Sequence, residues 1–243
     1  LLEQTLPSGA VELISLDVTK PEEARNVTAL YAGKSLQDPH YAGEDTDALY
    51  GIREGVLHRF NFEKDEEKTL LEGVRSYQPY GNETILYDRI IGPVFEVGIW
   101  LDDKATRVHV TQSEVPTQLA YAQFNDNYYL SIAEPSLNMI TLYRDPLKNP
   151  LKEKQSPFHS FSFEGPQHIS LSSSGQFLLI QNGSTLATYD FDEFKRSQIH
   201  LPFEIAAGTK PAWLNATHLY AQAADGANYL FEYDGQNMQQ ILS

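Results

Sequence analysis

The sequence predicts an all-β fold, a β-propeller of about six blades of four antiparallel strands with one blade incomplete. Three features predict it: an acid that closes a hydrophobic strand at near-constant spacing, turn residues every few positions, and little helical patterning. The acid falls at Asp17, Glu63, Asp102, Asp145, Asp192 and Asp234, at intervals of 46, 39, 43, 47 and 42 residues. A blade of four short strands occupies about 40–50 residues, longer than the leucine-rich, ankyrin or tetratricopeptide repeats.

The same order of strands recurs within each repeat. An inner strand, "VRSYQPY" (74–80), "QLAYAQF" (118–124), "QHISLSS" (167–173) or "TKPAWL" (209–214), precedes a second, "ILYDRI" (85–90), "YYLSIAE" (128–134), "FLLIQ" (177–181) or "HLYAQA" (218–223). Between them stand Gly81-Asn82, Asn125-Asp126-Asn127, Ser174-Gly175 and Asn215-Ala216, residues that reach positive φ or close side-chain turns. A second hairpin, through "REG" (53–55), "NGS" (182–184) or "ADGAN" (224–228), leads to the acid-terminated strand: "VLHRFNFE" (56–63), "TLYRD" (141–145), "LATYDFD" (186–192) or "ANYLFEYDG" (227–235). The fourth strand is polar and half-exposed, as in "EKTLLEG" (67–73), "TRVHVTQ" (106–112), "RSQIHLP" (196–202) and "MQQILS" (238–243). Alternate aromatics of the third strand are expected between adjacent blades, with the acid turning the chain at the strand's end.

These boundaries give one domain over 1–243, with a half blade at 1–35 and blades at 36–73, 74–112, 117–164, 165–204 and 208–243. The half blade supplies a third and fourth strand; either its two inner strands lie outside this sequence, or residues 1–8 provide one and the ring closes imperfectly. The best helical candidate, "KPEEARNVTAL" (20–30), has Pro21 and two glutamates in a first-turn arrangement. Asn26, Val27 and Thr28 are weak helix formers, so it reads as a loop leading into a strand.

The stretches "DTDALYGIREGVLHRF", "YQPYGNETILYD", "LAYAQFNDNYYLSIA", "ISLSSSGQFLLIQNGSTLATYDF" and "AWLNATHLYAQAADGANYLFEYDGQNMQQIL" resemble the WD40-like (PD40-type) β-propeller region of bacterial PEGA-domain-containing, membrane-anchored proteins. The resemblance extends over most of 36–243. In that family a short cytoplasmic segment and one transmembrane helix precede a small PEGA β-domain and then the propeller. The resemblance therefore implies an extracytoplasmic location, anchored through an upstream segment absent from this sequence, and it brings no catalytic residues with it. The start at Leu1 without methionine fits a piece whose anchoring segment lies upstream.

Composition narrows the partners. With 18 Lys+Arg against 33 Asp+Glu the formal charge is −15, which repels a phosphate backbone, so nucleic acid is not expected. No run of about 18 apolar residues is present to span a bilayer as a helix. The absence of cysteine excludes thiolate metal sites and a Cys nucleophile and leaves the redox compartment open. Four Asn-x-Ser/Thr sequons, at Asn26, Asn82, Asn182 and Asn215, read as turn-rich composition before they read as glycosylation acceptors.

No hydrolase elbow, zinc-protease, phosphate-loop, EF-hand or dinucleotide motif is present. His40, His58, His109, His159, His168, His200 and His218 are scattered one or two to a repeat, none at metal-ligand spacing. Asp45/Asp47, Asp102/Asp103 and Asp190/Asp192 are carboxylate pairs that suit calcium or, more simply, turns. The charge run "EKDEEK" (63–68) reads as a solvated hairpin tip. Tyr77, Tyr121 and Trp213, on inner strands, either line a central channel or pack between blades, with packing the expectation. The lysine-bearing "PLKNPLKEKQSPF" (146–158) breaks the repeat length and is the expected partner-contacting surface loop.

The expected function is thus a non-catalytic extracytoplasmic binding or scaffold module for a protein or glycan, with no cofactor, catalytic or metal residue and with binding residues unknown. The alternative is a propeller enzyme, or the accessory domain of a hydrolase or lyase with a channel site.

Overall fold

The structure, a computed structural model, describes residues 2–5, 11–17, 20–26, 36–42, 45–61, 64, 66–81, 83–148 and 156–241. Its N-terminal sheet has three strands, β1 (Leu2–Thr5), β2 (Val11–Asp17) and β3 (Lys20–Asn26), in that order. Five four-stranded sheets follow. The second contains β4 (Gln37–Ala42), β5 (Asp45–Arg53), β6 (Val56–Asn61) and β7 (Glu66–Glu72). The third contains β8 (Val74–Tyr80), β9 (Thr84–Ile91), β10 (Val94–Leu101) and β11 (Lys104–Thr111). The fourth contains β12 (Gln118–Phe124), β13 (Asn127–Glu134), β14 (Met139–Arg144) and β15 (His159–Ser162). The fifth contains β16 (His168–Leu171), β17 (Phe177–Asn182), β18 (Thr185–Asp190) and β19 (Lys195–Ile199). The sixth contains β20 (Ala212–Trp213), β21 (His218–Gln222), β22 (Asn228–Glu232) and β23 (Gln239–Ile241).

Every strand pairs with the next in sequence, so each sheet is a meander closed by tight turns. Arg53 lies opposite Val56 across Glu54-Gly55, and Phe124 opposite Asn127 across Asn125-Asp126. All four turn residues have positive φ, the geometry of the two-residue hairpin whose twist matches its strands. The N-terminal sheet departs from expectation once. Residues 2–5 form a further strand, one of the two alternatives for this half blade, but Lys20–Asn26 is itself strand, not a loop leading into one. The reason is positional: β3 pairs on one side only, and an edge tolerates a proline with no N–H to donate. The pattern also missed β4 and β15, which are short and polar and carry no hydrophobic alternation.

The chain divides into two compact units, described separately. The first comprises Leu1–Arg75, Pro79–Ile85 and Trp100–Ala105. Its core holds Ala48, Leu49, Tyr50 and Ile52 of β5, Leu57 and Phe60 of β6, and Leu71 of β7, all buried. Burial of consecutive β5 residues means that both faces of this strand are covered.

The second unit comprises Ser76–Gln78, Leu86–Ile99 and Thr106–Ser243. Here the two-faced packing can be followed residue by residue along β17. Leu178 and Ile180 join Ala133, Ile140 and Leu142 of the fourth sheet in one cluster. Leu179, between them in sequence, joins Leu219, Ala221 and Phe231 of the sixth sheet in another. The strand's period of two sends neighbouring side chains to opposite sheets. The third-strand aromatics follow this rule: Tyr189 stacks on Phe161 at 5.5 Å between centroids, toward the preceding sheet, and Phe231 likewise packs on the fifth sheet. Of the expected closing acids, Asp234 turns the chain, accepting the Gln236 N–H at 2.9 Å. In the fifth sheet the turn acid is Asp190, two residues before the expected Asp192, whose N–H it accepts at 2.8 Å, and Asp145 instead bonds the adjacent strand through the Tyr128 N–H at 2.9 Å. Glu63 lies outside the described residues.

Gly98 on β10 shows how close the packing is. A Cβ there would overlap the Thr106 carbonyl and the Tyr87 hydroxyl. The Tyr87 ring occupies the glycine's missing side-chain volume, and its phenol, pushed well above the ordinary range by burial, hydrogen bonds to the buried Glu96. Gly98→Ala is therefore expected to destabilise the protein by about 1–3 kcal/mol, read as a lowered urea midpoint. An unchanged midpoint would mean that Tyr87 moves aside freely.

Candidate functional site

Two polar arrangements in the second unit go beyond ladder and turn bonds. The first links the third and fourth sheets. Glu134, at the end of β13 and buried, accepts hydrogen bonds from Thr111 Oγ1 and, at 3.3 Å, from His109 Nε2. A carboxylate only accepts, so Nε2 carries the hydrogen, and Nδ1 lies 2.8 Å from the Tyr143 hydroxyl. Burial opposes ionisation of Glu134. The bonds from His109, Thr111 and Thr141 and the charge of His109 outweigh it, and hold the carboxyl below its ordinary value. Burial and the Glu134 charge push the Tyr143 phenol up to about 12. The order hydroxyl, imidazole, carboxylate is that of a catalytic relay, yet Tyr143 is only 3% exposed. Buried in this way, the network clamps two sheets together. A second clamp parallels it: Asp88 on β9, fully buried, accepts the Thr117 N–H at 2.7 Å and its hydroxyl at 2.8 Å at the entry to β12.

The second arrangement is a cavity of about 180 Å3 where the fifth sheet meets the connection into the sixth. Gln167 and His168 contribute from the start of β16, Gln181 from the end of β17, Gly183 from the turn after it, and residues 205–210 from the connection. That connection is fixed at several points. Ile205 bridges Ala223, and its N–H bonds the Ser184 hydroxyl at 2.8 Å; the Ala206 N–H reaches Gln222 O at 2.9 Å. Thr209 N then bonds Ala206 O at 3.0 Å, closing a four-residue turn whose third position, Gly208, has φ +79. A side chain is disfavoured there, which explains the glycine.

Inside the cavity several polar groups lack partners. His168 lies opposite Gln181 in the ladder, so their side chains share a face. The Gln181 amide nitrogen donates to Gly183 O at 3.0 Å and Thr209 O at 3.4 Å, while its Oε1, buried, has no partner among the described residues. Lys210 makes no ion pair or hydrogen bond among those residues, and neither does the His168 ring. Burial, reinforced by the Lys210 charge, pushes the imidazole down to about 4, so it is neutral near pH 7.

No family model matches the chain, and no curated protein matches it in sequence. Solved structures match it in fold. A chain of the mitotic checkpoint complex aligns with TM-score 0.62 at 8% identity, over 95% of this chain and 71% of that one. The C-terminal WD40 domain of Sif2 aligns with TM-score 0.55 at 10% identity, over 84% of this chain and 58% of that one. Oligogalacturonate lyase in complex with manganese gives TM-score 0.58 at 12% identity, over 97% and 71%. The chain has a WD40-like β-propeller fold. Identities this low carry the likeness of fold and nothing finer.

Of the residues singled out in the sequence, most serve the propeller's structure. Tyr77 and Tyr121 are buried, Tyr121 stacking on Tyr128 at 5.5 Å, and Trp213 stacks on Phe177 at 6.2 Å and donates to Ser170 O at 3.3 Å. Asp102 and Asp103 form a positive-φ turn, with Asp103 bound to Lys68 at 2.5 Å; Asp190 closes its own turn. The side chains of Asp45 and Asp47, like Asn82 and residues 149–155 of the lysine-bearing loop, lie outside what the structure describes. Asn182 donates to Glu164 O at 2.9 Å, and Asn215 Oδ1 accepts the N–H of Thr217 and of His218, each at 2.8 Å. His40 meets Asp38, His58 meets Glu67, His159 stacks among Phe158, Phe161 and Tyr189, and His218 bonds Thr217. Among the described residues no three His, Cys, Asp or Glu side chains gather to hold a metal ion. Sequence reasoning named His109 and His168 without separating them from the others. It missed Glu134, Gln181 and Lys210 altogether, since each gains its role from a neighbouring blade.

Two measurements follow. The lowered carboxyl of Glu134 contributes stability above the ordinary value of 4.5 that is lost as pH falls through its folded value. Glu134→Gln should cost about 1.5–3 kcal/mol at neutral pH and flatten this acid limb in a urea series against pH. For His168 the sign is opposite. Its folded value lies below 6.5, so the unfolded chain takes up the proton first, and stability is lost as pH falls from 6.5 toward 4. An NMR titration should find His168 half-protonated near pH 4, and Lys210→Gln should raise that midpoint.

Proposed function

We propose that this chain is a non-catalytic binding module, the propeller of a bacterial PEGA-type, membrane-anchored protein that meets a protein or glycan partner outside the membrane. The observation that carries the binding reading is the cavity at His168, Gln181 and Lys210, where a cation and an imidazole stand without partners among the described residues on a pinned frame. Groups of this kind fix the orientation of a ligand in a mostly preformed pocket. The resemblance of the repeats to PD40-type propellers supports the location and the anchor, and the formal charge of −15 argues against nucleic acid.

A propeller enzyme, or the accessory domain of one, is the second reading. It draws support from the neutral imidazole of His168, the type of group that serves as a general base. An imidazole pushed down to about 4 is a weak base at pH 7, and among the described cavity residues no carboxylate or second histidine stands by to orient it.

The chain, incubated with oligogalacturonate and manganese, is expected to release no unsaturated product by ultraviolet absorbance. On arrays of peptides and glycans it is expected to bind saturably, with signal lost in Lys210→Glu. Turnover abolished by His168→Gln would replace the binding reading with the enzymatic one. Protease added to intact cells of the native host should cleave the protein, and protection until lysis would remove the proposed location.

A further inference from the structure

We infer that the cavity at the fifth and sixth sheets captures the C-terminal carboxylate of a peptide chain, a partner class that rests on the binding-module reading and sharpens it. Two complementarities point there. Lys210 and His168 supply a cation and an N–H donor to one cavity, and neither has a protein partner among the described residues, so an anion satisfies both. Ile205, Ala206 and Ala207 form the second, an apolar wall. A ligand that fills the site therefore carries a carboxylate and, close to it, a small apolar group.

A chain terminus has these parts in this proximity. Its carboxylate meets Lys210 and His168, and a small final side chain lies on the alanines. The volume of about 180 Å3 suits one small terminal residue. An acidic sugar shares the carboxylate and offers hydroxyl donors. Sugar rings are bound against the broad faces of Tyr, Trp or Phe, however, and none of these is among the described lining residues, whereas the apolar wall matches an aliphatic side chain. The pinned turn at 206–209 keeps these groups in place before binding, so little ordering opposes capture.

The test uses the whole chain and four probes: acetyl-Gly-Gly-Ala-Ala with a free C-terminus, the same peptide as its C-terminal amide, galacturonic acid, and acetate. The free-acid peptide is expected to bind saturably and to move the side-chain NMR signals of His168 and Gln181. The amide should bind at least tenfold more weakly. Lys210→Gln, at an exposed position unneeded for folding, should weaken the acid at least tenfold and leave the amide unchanged. Equal binding of acid and amide would overturn the inference, as would equal binding of acetate alone. Galacturonic acid moving the same signals while the peptide does not would also overturn it, leaving a binding module for acidic glycan. Peptide binding together with turnover of oligogalacturonate would retain the carboxylate pocket and defeat the non-catalytic reading, so the two failures are distinct.

Discussion

Burial of both faces of the middle strands is the constraint from which the rest follows. A strand with one wet face may carry polar residues at every second position. Here β17 gives Leu178 and Ile180 to one neighbouring sheet and Leu179 to the other, and all three are fully buried. At about 1.5–3 kcal/mol for each large apolar side chain removed from water, such strands supply a large share of what opposes chain entropy. They also leave no place for an unsatisfied polar group without a cost of comparable size.

That cost explains the polar residues which do occur in these strands. Glu134 and Gln181 sit at the ends of second strands and Asp88 in the middle of one, each where an adjacent backbone or side chain comes within reach. Asp88 and Glu134 are satisfied from a neighbouring sheet and act as clamps between third and fourth. Shorter links do the same elsewhere: Arg196 reaches Ser162 O at 2.8 Å, and Thr188 reaches Tyr233 O at 2.8 Å. Gln181 is the partial exception. It reaches Thr209 O with its nitrogen, while its enclosed oxygen has no donor among the described residues, beside the cavity lined by the connection between β19 and β20. The candidate site is thus a place where the clamp between sheets is left incomplete.

Much of the fold could be read in the linear order of residues. Hairpins at Glu54-Gly55 and Asn125-Asp126 fall where turn chemistry puts them, since positive φ at two successive positions is a local demand that few residues meet. Strands β8 and β12 have the expected bounds because each is a run of apolar and aromatic residues between such turns. Reading failed at β3, β4 and β15, whose strand character comes from pairing with a neighbour and not from their own composition. It failed also to rank the histidines. His109 and His168 look alike in sequence, but one faces a carboxylate of the next sheet and the other faces a lysine across a cavity.

The sequence by itself determined the strand class, the repeat and the turns, because each depends on contacts within a few residues and on a period of two along the strand. Which polar side chains are satisfied and which stand open was decided only by tertiary structure. Glu134 and Thr111 lie 23 positions apart, Gln181 and Thr209 lie 28 apart, and their meeting depends on how one sheet faces another. A pattern of hydrophobic and polar letters records which way a side chain points from its own strand, and holds no term for what waits on the other side.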